Sequence, residues 1–165
     1  MKKPIVHFNH RASSAKRPYH YTECGLDHIY LVSGYEMIKS NYGQAVAIHQ
    51  ADALHRAIGQ FLVRKKKVLS GKELRFLRTE MDLTQAELGK LLGLTDQAVA
   101  RWEKEQTDIA SPADYLIRLL FLDHIGLPKG LAIRNFLVAV ERQQARAKNE
   151  KQLFERSSHS WRLAA

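Results

Sequence analysis

Cysteine is nearly absent: Cys24 stands alone in 165 residues. A single thiol excludes an internal disulfide framework and leaves an ordinary half-buried side chain or a lone metal ligand. His20 and His28 lie at equal spacing on either side of it. Gly25 and the strand-like surroundings do not place the three on one face, and structural zinc wants four protein ligands, so no metal site is expected. Long apolar runs are also missing, which excludes a membrane-spanning helix. The opening MKKPIVHFNHRASSAKRPYH has two lysines but no apolar stretch to follow them, so no secretion signal is expected and the reading is cytoplasmic. Nor are the usual signs of an enzyme present. His49, His55, His124 and His159 are scattered, no nucleophile has a base at telling proximity, and no glycine loop could cradle a phosphate. We therefore expect no enzyme, no catalytic residues and no cofactor.

Acidic residues are the other shortage. Lys and Arg number 26 against 17 Asp and Glu, a net charge of +9, which suits an acidic partner, most commonly nucleic acid. The excess is uneven. Residues 70–126 hold 7 basic against 10 acidic side chains, net −3, while residues 1–69 hold 11 against 4 and residues 127–165 hold 8 against 3, net +7 and +5. If the acidic middle meets DNA, phosphate neutralisation must come from local basic side chains and from the flanks, above all the run Arg64, Lys65, Lys66, Lys67. As a solvated linker, that run would need no partner.

An α+β fold is expected. Residues 1–18 mix His, Ser, Lys and Pro without a period and read as a flexible arm. Residues 19–69 read as a small antiparallel β-rich unit with one helix. YHYTEC, HIYLVSG and QAVAIHQ are β-branched and aromatic, with Gly25, Gly34 and SNYG at 40–43 as breaks. ADALHRAIGQFLV then places Leu54, Ile58, Phe61 and Leu62 on one helical face, with Asp52 as the expected cap. Residues 70–126 read as all-helical: Leu74, Leu77 and Met81 share a stripe, and SPADYLIRLLFLDHIG has Ser111 as cap and Pro112 at the first helical position. Residues 127–165 read as a C-terminal helix, LAIRNFLVAVERQQARAKNEKQL, followed by a polar tail carrying Phe154 and Trp161.

The most informative stretch is LTQAELGKLLGLTDQAVARWEKE, residues 83–105. Leu83, Leu88, Leu91 and Leu92, then Leu94, Val99 and Trp102, follow helical spacing, so each segment has a face to bury. Gly93 separates them. Thr84 with Glu87 forms a capping box for the first segment, and Thr95 or Asp96 caps the second. On that second helix Gln97, Arg101 and Lys104 share a face opposite Val99 and Trp102. Arginine engages guanine and glutamine engages adenine in a bidentate way, in a major groove wide enough for a helix. Gln85 begins the preceding helix, where its amide and the free N–H groups could hold a phosphate oxygen.

Residues 74–112 resemble the helix-turn-helix of the phage Cro/repressor (XRE-like) regulators, on LRFLRTEMDLTQAELGKLLGLTDQAVARWEKE with Leu-Thr-Gln at 83–85, the turn Gly93 and Trp102-Glu103. The resemblance implies base reading by Asp96, Gln97 and Arg101, and phosphate contact by Gln85. It places Thr95 at the start of the reading helix, close to the backbone. With Lys104 and the 64–67 run, Gln85 and Thr95 make up the expected phosphate set. It further implies a pair between Arg78 and Glu103 that ties the first helix to the third. Two positions depart from the family: Gly89 stands where alanine is usual, and Glu105 where glycine often follows the reading helix. Asp96 suits a cap first and a reader of cytosine second.

A broader resemblance, over residues 19–126, is to MqsA/YgiT-like antitoxin regulators: a β-rich unit, a helix-turn-helix, then PADYLIRLL. The zinc-binding Cys-x-x-Cys pairs of that class are missing here, so its zinc role is not carried over. The expected function is a sequence-specific, dimeric transcriptional repressor of double-stranded DNA; the alternative is an antitoxin that also binds a toxin protein. The expected homodimer surface is the apolar face Leu131, Phe136, Leu137, Val140, or the tail with Phe154 and Trp161. Folding of both back onto the β-rich unit is the competing arrangement.

Overall fold

A computed structural model describes residues 18–40, 43–65, 68–126, 152–156 and 160–164. Its architecture is α+β, in the order β1 (Tyr19–His20), β2 (Ile29–Leu31), β3 (Tyr35–Ser40), β4 (Gly43–Ile48), α1 (Ala51–Lys65), α2 (Gly71–Glu80), α3 (Gln85–Leu92), α4 (Asp96–Glu103), α5 (Ser111–His124), β5 (Gln152–Arg156) and β6 (Trp161–Leu163). The expected arm falls almost wholly outside the described residues. So does the expected C-terminal helix up to residue 151, with its apolar face at Leu131, Phe136, Leu137 and Val140.

The β-rich unit differs from the expected antiparallel sheet in two ways. β3 and β4 form a separate hairpin, with Met37 opposite Val46; β3 carries no strict alternation and was not expected. The other sheet runs β1-β2-β5-β6, so the C-terminal segment completes it, and β2 pairs with β5 in parallel while the remaining pairs are antiparallel. Gln152 and Leu153, expected to end a helix, therefore lie in a strand. The parallel pairing arises because β5 reaches β2 across a long connection, which imposes no hairpin geometry.

Ile29 and Leu31 alternate inward on β2 and are fully buried. Phe154 of β5 is buried beside them, with its ring edge-on to Phe61 of α1 at 6.1 Å. Trp161 is buried too, and its indole N–H donates to the His49 carbonyl at 3.2 Å. The indole lies against Gly34, where a Cβ would sit 2.5 Å from the ring, and Gly34 holds φ +80. Both tail aromatics thus belong to this chain's own core and are not free to form a dimer surface. Burial pushes the Cys24 thiol up to about 11, and that thiol donates to the Tyr21 carbonyl.

Leu54, Ile58 and Leu62 on α1 are fully buried, as the helical period requires. Asp52 is an exposed first-turn residue and not the cap; Gln50, at φ 54, precedes the helix and its carbonyl accepts from Leu54 N–H. At Gly59 a Cβ would lie 2.1 Å from the Phe121 ring, so α1 and α5 approach through this position. α5 starts at Ser111, with Ala110 in the cap position and no side-chain cap bond, which corrects the expected Ser111 cap.

A buried ion pair joins these parts. Arg118 is fully buried; its Nε donates to Asp114 Oδ2 at 2.7 Å and its Nη1 to the Leu62 and Val63 carbonyls at 3.1 and 3.2 Å. Those carbonyls lie in the last turn of α1, which has no intrahelical donors for them. Asp114 Oδ1 also accepts from the Leu69 N–H at 2.9 Å. One pair thereby ends α1, fixes the strand of chain that follows the basic run, and anchors α5.

Candidate nucleic-acid interface

The helix-turn-helix is built largely from local signals. Thr84 caps α3 in the expected reciprocal box with Glu87, and Ser70, which the sequence reading did not single out as a cap, closes α2 in the same way with Glu73. The Thr84 N–H and hydroxyl hold the Glu87 carboxyl below the usual carboxylate range. Gly93 ends α3 at φ 69, the left-handed conformation that glycine adopts at no steric cost. Thr95 then caps α4 by accepting from Ala98 N–H at 3.2 Å, and Asp96, the first helical residue, accepts from Gln97 N–H at 2.8 Å. Thr95 is thus the cap, and Asp96 reinforces the same end.

Val99 and Trp102 bury one side of α4. Asp96, Gln97, Arg101 and Lys104 are all exposed, so the expected reading residues lie outside the core. Leu91 and Leu94 are exposed as well, against the expectation from spacing. Both sit at the tight end of α3 and its turn, where the chain reverses before either side chain reaches the core.

Arg78 and Glu103 form the expected pair. Nε donates to Oε1 at 2.5 Å and Nη2 to Oε2 at 3.1 Å, with Glu103 only 5% exposed. Nη1 of Arg78 also donates to the Leu83 carbonyl at 2.6 Å, so one guanidinium joins α2, the turn after it and α4. Gln85 enters the same network: its Nε2 donates to Glu103 Oε2 at 2.9 Å. Its amide nitrogen is therefore engaged within the protein, and contact with a phosphate through that atom requires exchange of this bond.

Gly71 carries structural weight that the sequence reading missed. A Cβ there would lie 2.3 Å from the Trp102 carbonyl, so the start of α2 crosses directly over the end of α4. A glycine just inside a helix start has no spacing signature that would reveal such a crossing.

The two departures from the family both have geometric correlates. At Gly89 a Cβ would lie 2.9 Å from the Leu94 carbonyl and 3.0 Å from the Thr95 carbonyl carbon, both main-chain atoms that cannot swing away. Gly89→Ala should therefore destabilise the domain by about 1–2 kcal/mol: overpacking of about 1–3 kcal/mol outweighs the roughly 1 kcal/mol of helix propensity that alanine regains. Urea denaturation checks this, and a stabilised variant would show the α3–α4 turn to be looser. Glu105 adopts φ 56 after α4, the left-handed conformation that glycine supplies elsewhere, and Gln106 N–H bonds back to the Arg101 carbonyl at 2.9 Å. Glu105→Gly should stabilise by about 0.5–1 kcal/mol by removing the left-handed penalty, read as a raised denaturation midpoint.

Of the basic run, Arg64 is exposed on the last turn of α1; the Lys65 side chain and Lys66 and Lys67 lie outside the described residues. Among the described residues no helix is long and apolar enough to cross a membrane. Residues 74–113 match the family model described as helix-turn-helix, whereas no curated protein and no solved structure matches the chain. The match runs from Leu74 within α2 through α3 and α4 to the start of α5, with the capped turn, the Arg78–Glu103 tie and the exposed polar face of α4 all inside it. Residues 74–113 are an XRE-like helix-turn-helix, and they mark the chain as a DNA-binding transcription regulator.

Proposed function

We propose that the protein is a sequence-specific transcriptional repressor that binds operator DNA as a homodimer, with α4 in the major groove. The observation that carries this reading is the two-sided character of α4. Val99 and Trp102 fix it to the core, Glu103 ties it to α2, and Asp96, Gln97 and Arg101 are left exposed with side chains suited to base edges. Thr95, Lys104 and Arg64 supply backbone contacts, with Lys65, Lys66 and Lys67 extending them. One reading helix covers few base pairs. Two-fold symmetry doubles the site, with half-sites about one helical turn or a multiple apart.

The test separates reading from positioning. Arg101→Ala should cost roughly 1–3 kcal/mol on the preferred site and relax preference at one base pair, whereas Lys104→Ala should weaken all sequences alike and flatten the salt dependence. Selection of bound sequences from a random pool, followed by titration at several salt concentrations, measures both. A uniform loss on every sequence from Arg101→Ala would remove Arg101 from the reading set.

A further inference from the structure

Most of α2 is covered, and different neighbours cover different sides. Lys72, Arg75 and Thr79, three and four residues apart, form an exposed stripe. Gly71 and Arg78 face α4: the first crosses the Trp102 carbonyl and the second binds Glu103. Glu73, Phe76 and Glu80, again three and four apart, lie on the opposite side of the helix and meet the amino-terminal unit. Glu73 is 1% exposed; its Oε2 accepts from the Ser70 N–H, and its Oε1 lies 3.5 Å from Nε2 of His28, the residue before β2. Phe76 meets the His55 ring edge-on at 5.6 Å. Glu80 Oε1 lies 2.8 Å from His55 Nδ1, and His55 Nε2 lies 2.8 Å from the hydroxyl of the buried Tyr21. A carboxylate only accepts, so Nδ1 is the donor to Glu80. The amino-terminal unit thus grips both ends of α2 on one side, while α4 is fastened to the other.

We propose that Tyr21, His28 and His55 are positioning residues for DNA binding, which hold α2 and through it the last turn of α4. The inference rests on the reading of α4 as the DNA-facing helix. The route is short. Arg101, the guanidinium suited to guanine, belongs to the same turn as Trp102 and Glu103, the two residues that Gly71 and Arg78 meet. Gly71 leaves no room for even a methyl group at that crossing, so a displacement of α2 is passed to α4 and not absorbed. His28 near the start of α2 and His55 near its end resist that displacement from the opposite side. The neighbouring Asp27–Lys72 pair is exposed and adds little. The amino-terminal unit thereby governs DNA affinity through α2, with no sequence information of its own.

The test has one arm without DNA and one with it, both on the full chain. Proton–nitrogen NMR spectra of the free protein report α4 through the backbone amides of residues 96–103 and the Trp102 indole. His55→Phe keeps a ring against Phe76 and deletes both hydrogen bonds; Tyr21→Phe deletes one hydroxyl only and serves if His55→Phe does not fold; His28→Leu removes the contact with Glu73. In the folded variants the Arg101, Trp102 and Glu103 resonances should move, although the substituted residues lie on the far side of α2. DNA affinity, measured well below each variant's melting midpoint, should fall about threefold or more on every sequence alike. A purely structural role would lower the midpoint and leave the affinity of the folded protein unchanged. Glu80→Gln keeps an acceptor for His55 Nδ1 and should preserve both readouts, whereas Glu80→Met should reproduce His55→Phe. Unmoved α4 resonances in the folded variants, or full DNA affinity with the resonances moved, would overturn the proposal. A parent chain that binds no DNA would overturn the reading of α4 instead, and the NMR arm would still decide whether α2 transmits the displacement.

Discussion

Arg118→Met should lower the stability of the chain by about 3–5 kcal/mol, the cost of leaving a buried charge without its partner. Asp114 is 3% exposed and would keep only the Leu69 N–H, while the Leu62 and Val63 carbonyls would lose their donor altogether. For a chain of this length that corresponds to a fall of roughly 6–20 °C in Tm. Replacing both charges, Asp114→Leu with Arg118→Met, should recover much of the loss, because the penalty lies in the orphaned carboxylate more than in the missing attraction. Chemical denaturation of the single and double variants measures both terms. A single variant within 1 kcal/mol of the parent would show that water reaches the pair. The effect should extend beyond α5, since the same pair ends α1 and holds Leu69, on either side of the lysine run.

Arg78→Ala should cost about 3 kcal/mol, less than Arg118→Met because Gln85 still donates to Glu103 and because Arg78 is 14% exposed. Three bonds disappear at once: two to Glu103 and one to the Leu83 carbonyl. These bonds join α2 to α4, so α4 loses its fixed angle. DNA affinity should then fall on all sequences alike, with a lowered denaturation midpoint. This pattern is the reverse of the one expected for Arg101→Ala, which spares stability and alters sequence preference. Unchanged thermal stability in Arg78→Ala would show the pair to contribute nothing in solution. Glu103→Gln distinguishes charge from hydrogen bonding at the same place: it keeps an acceptor for Arg78, so its loss should be smaller.

Several expectations missed for a common reason. Asp52 and Ser111 each have the chemistry of a cap, but one sits inside its helix and the other begins it, because the chain entering each helix has its direction set by packing. Leu91 and Leu94 have core spacing and are exposed, since periodicity places a residue on a face without saying how far the neighbouring helix extends over it. A bond that spacing does not reveal also engages the Gln85 amide, which donates to Glu103, 18 residues away. In the caps and the leucines the residue type suited the role, and the path of the surrounding chain decided the outcome.

What the sequence by itself determined is the helix-turn-helix: the box of Thr84 and Glu87, a cap at Thr95 or Asp96, the turn at Gly93, and the division of α4 between Val99 and Trp102 inside and Gln97 and Arg101 outside. These features depend on groups within one or two helical turns of each other, where spacing alone fixes distance. The Arg78–Glu103 pair, 25 residues apart, was legible only through resemblance to a known domain. Tertiary structure alone decided that QLFER and WRL complete the sheet begun by Tyr19 and Ile29, that β2 and β5 run in parallel, that Gly71 carries a helix crossing, and that Arg118 is a buried charge and not one more cation on a basic chain. Strand partners and buried charges are chosen by contacts across more than a hundred, or more than fifty, residues of chain. A five-residue strand with one buried side chain has too few alternations to announce its partner, and an arginine reveals its burial only when the carbonyls it must satisfy are brought to it.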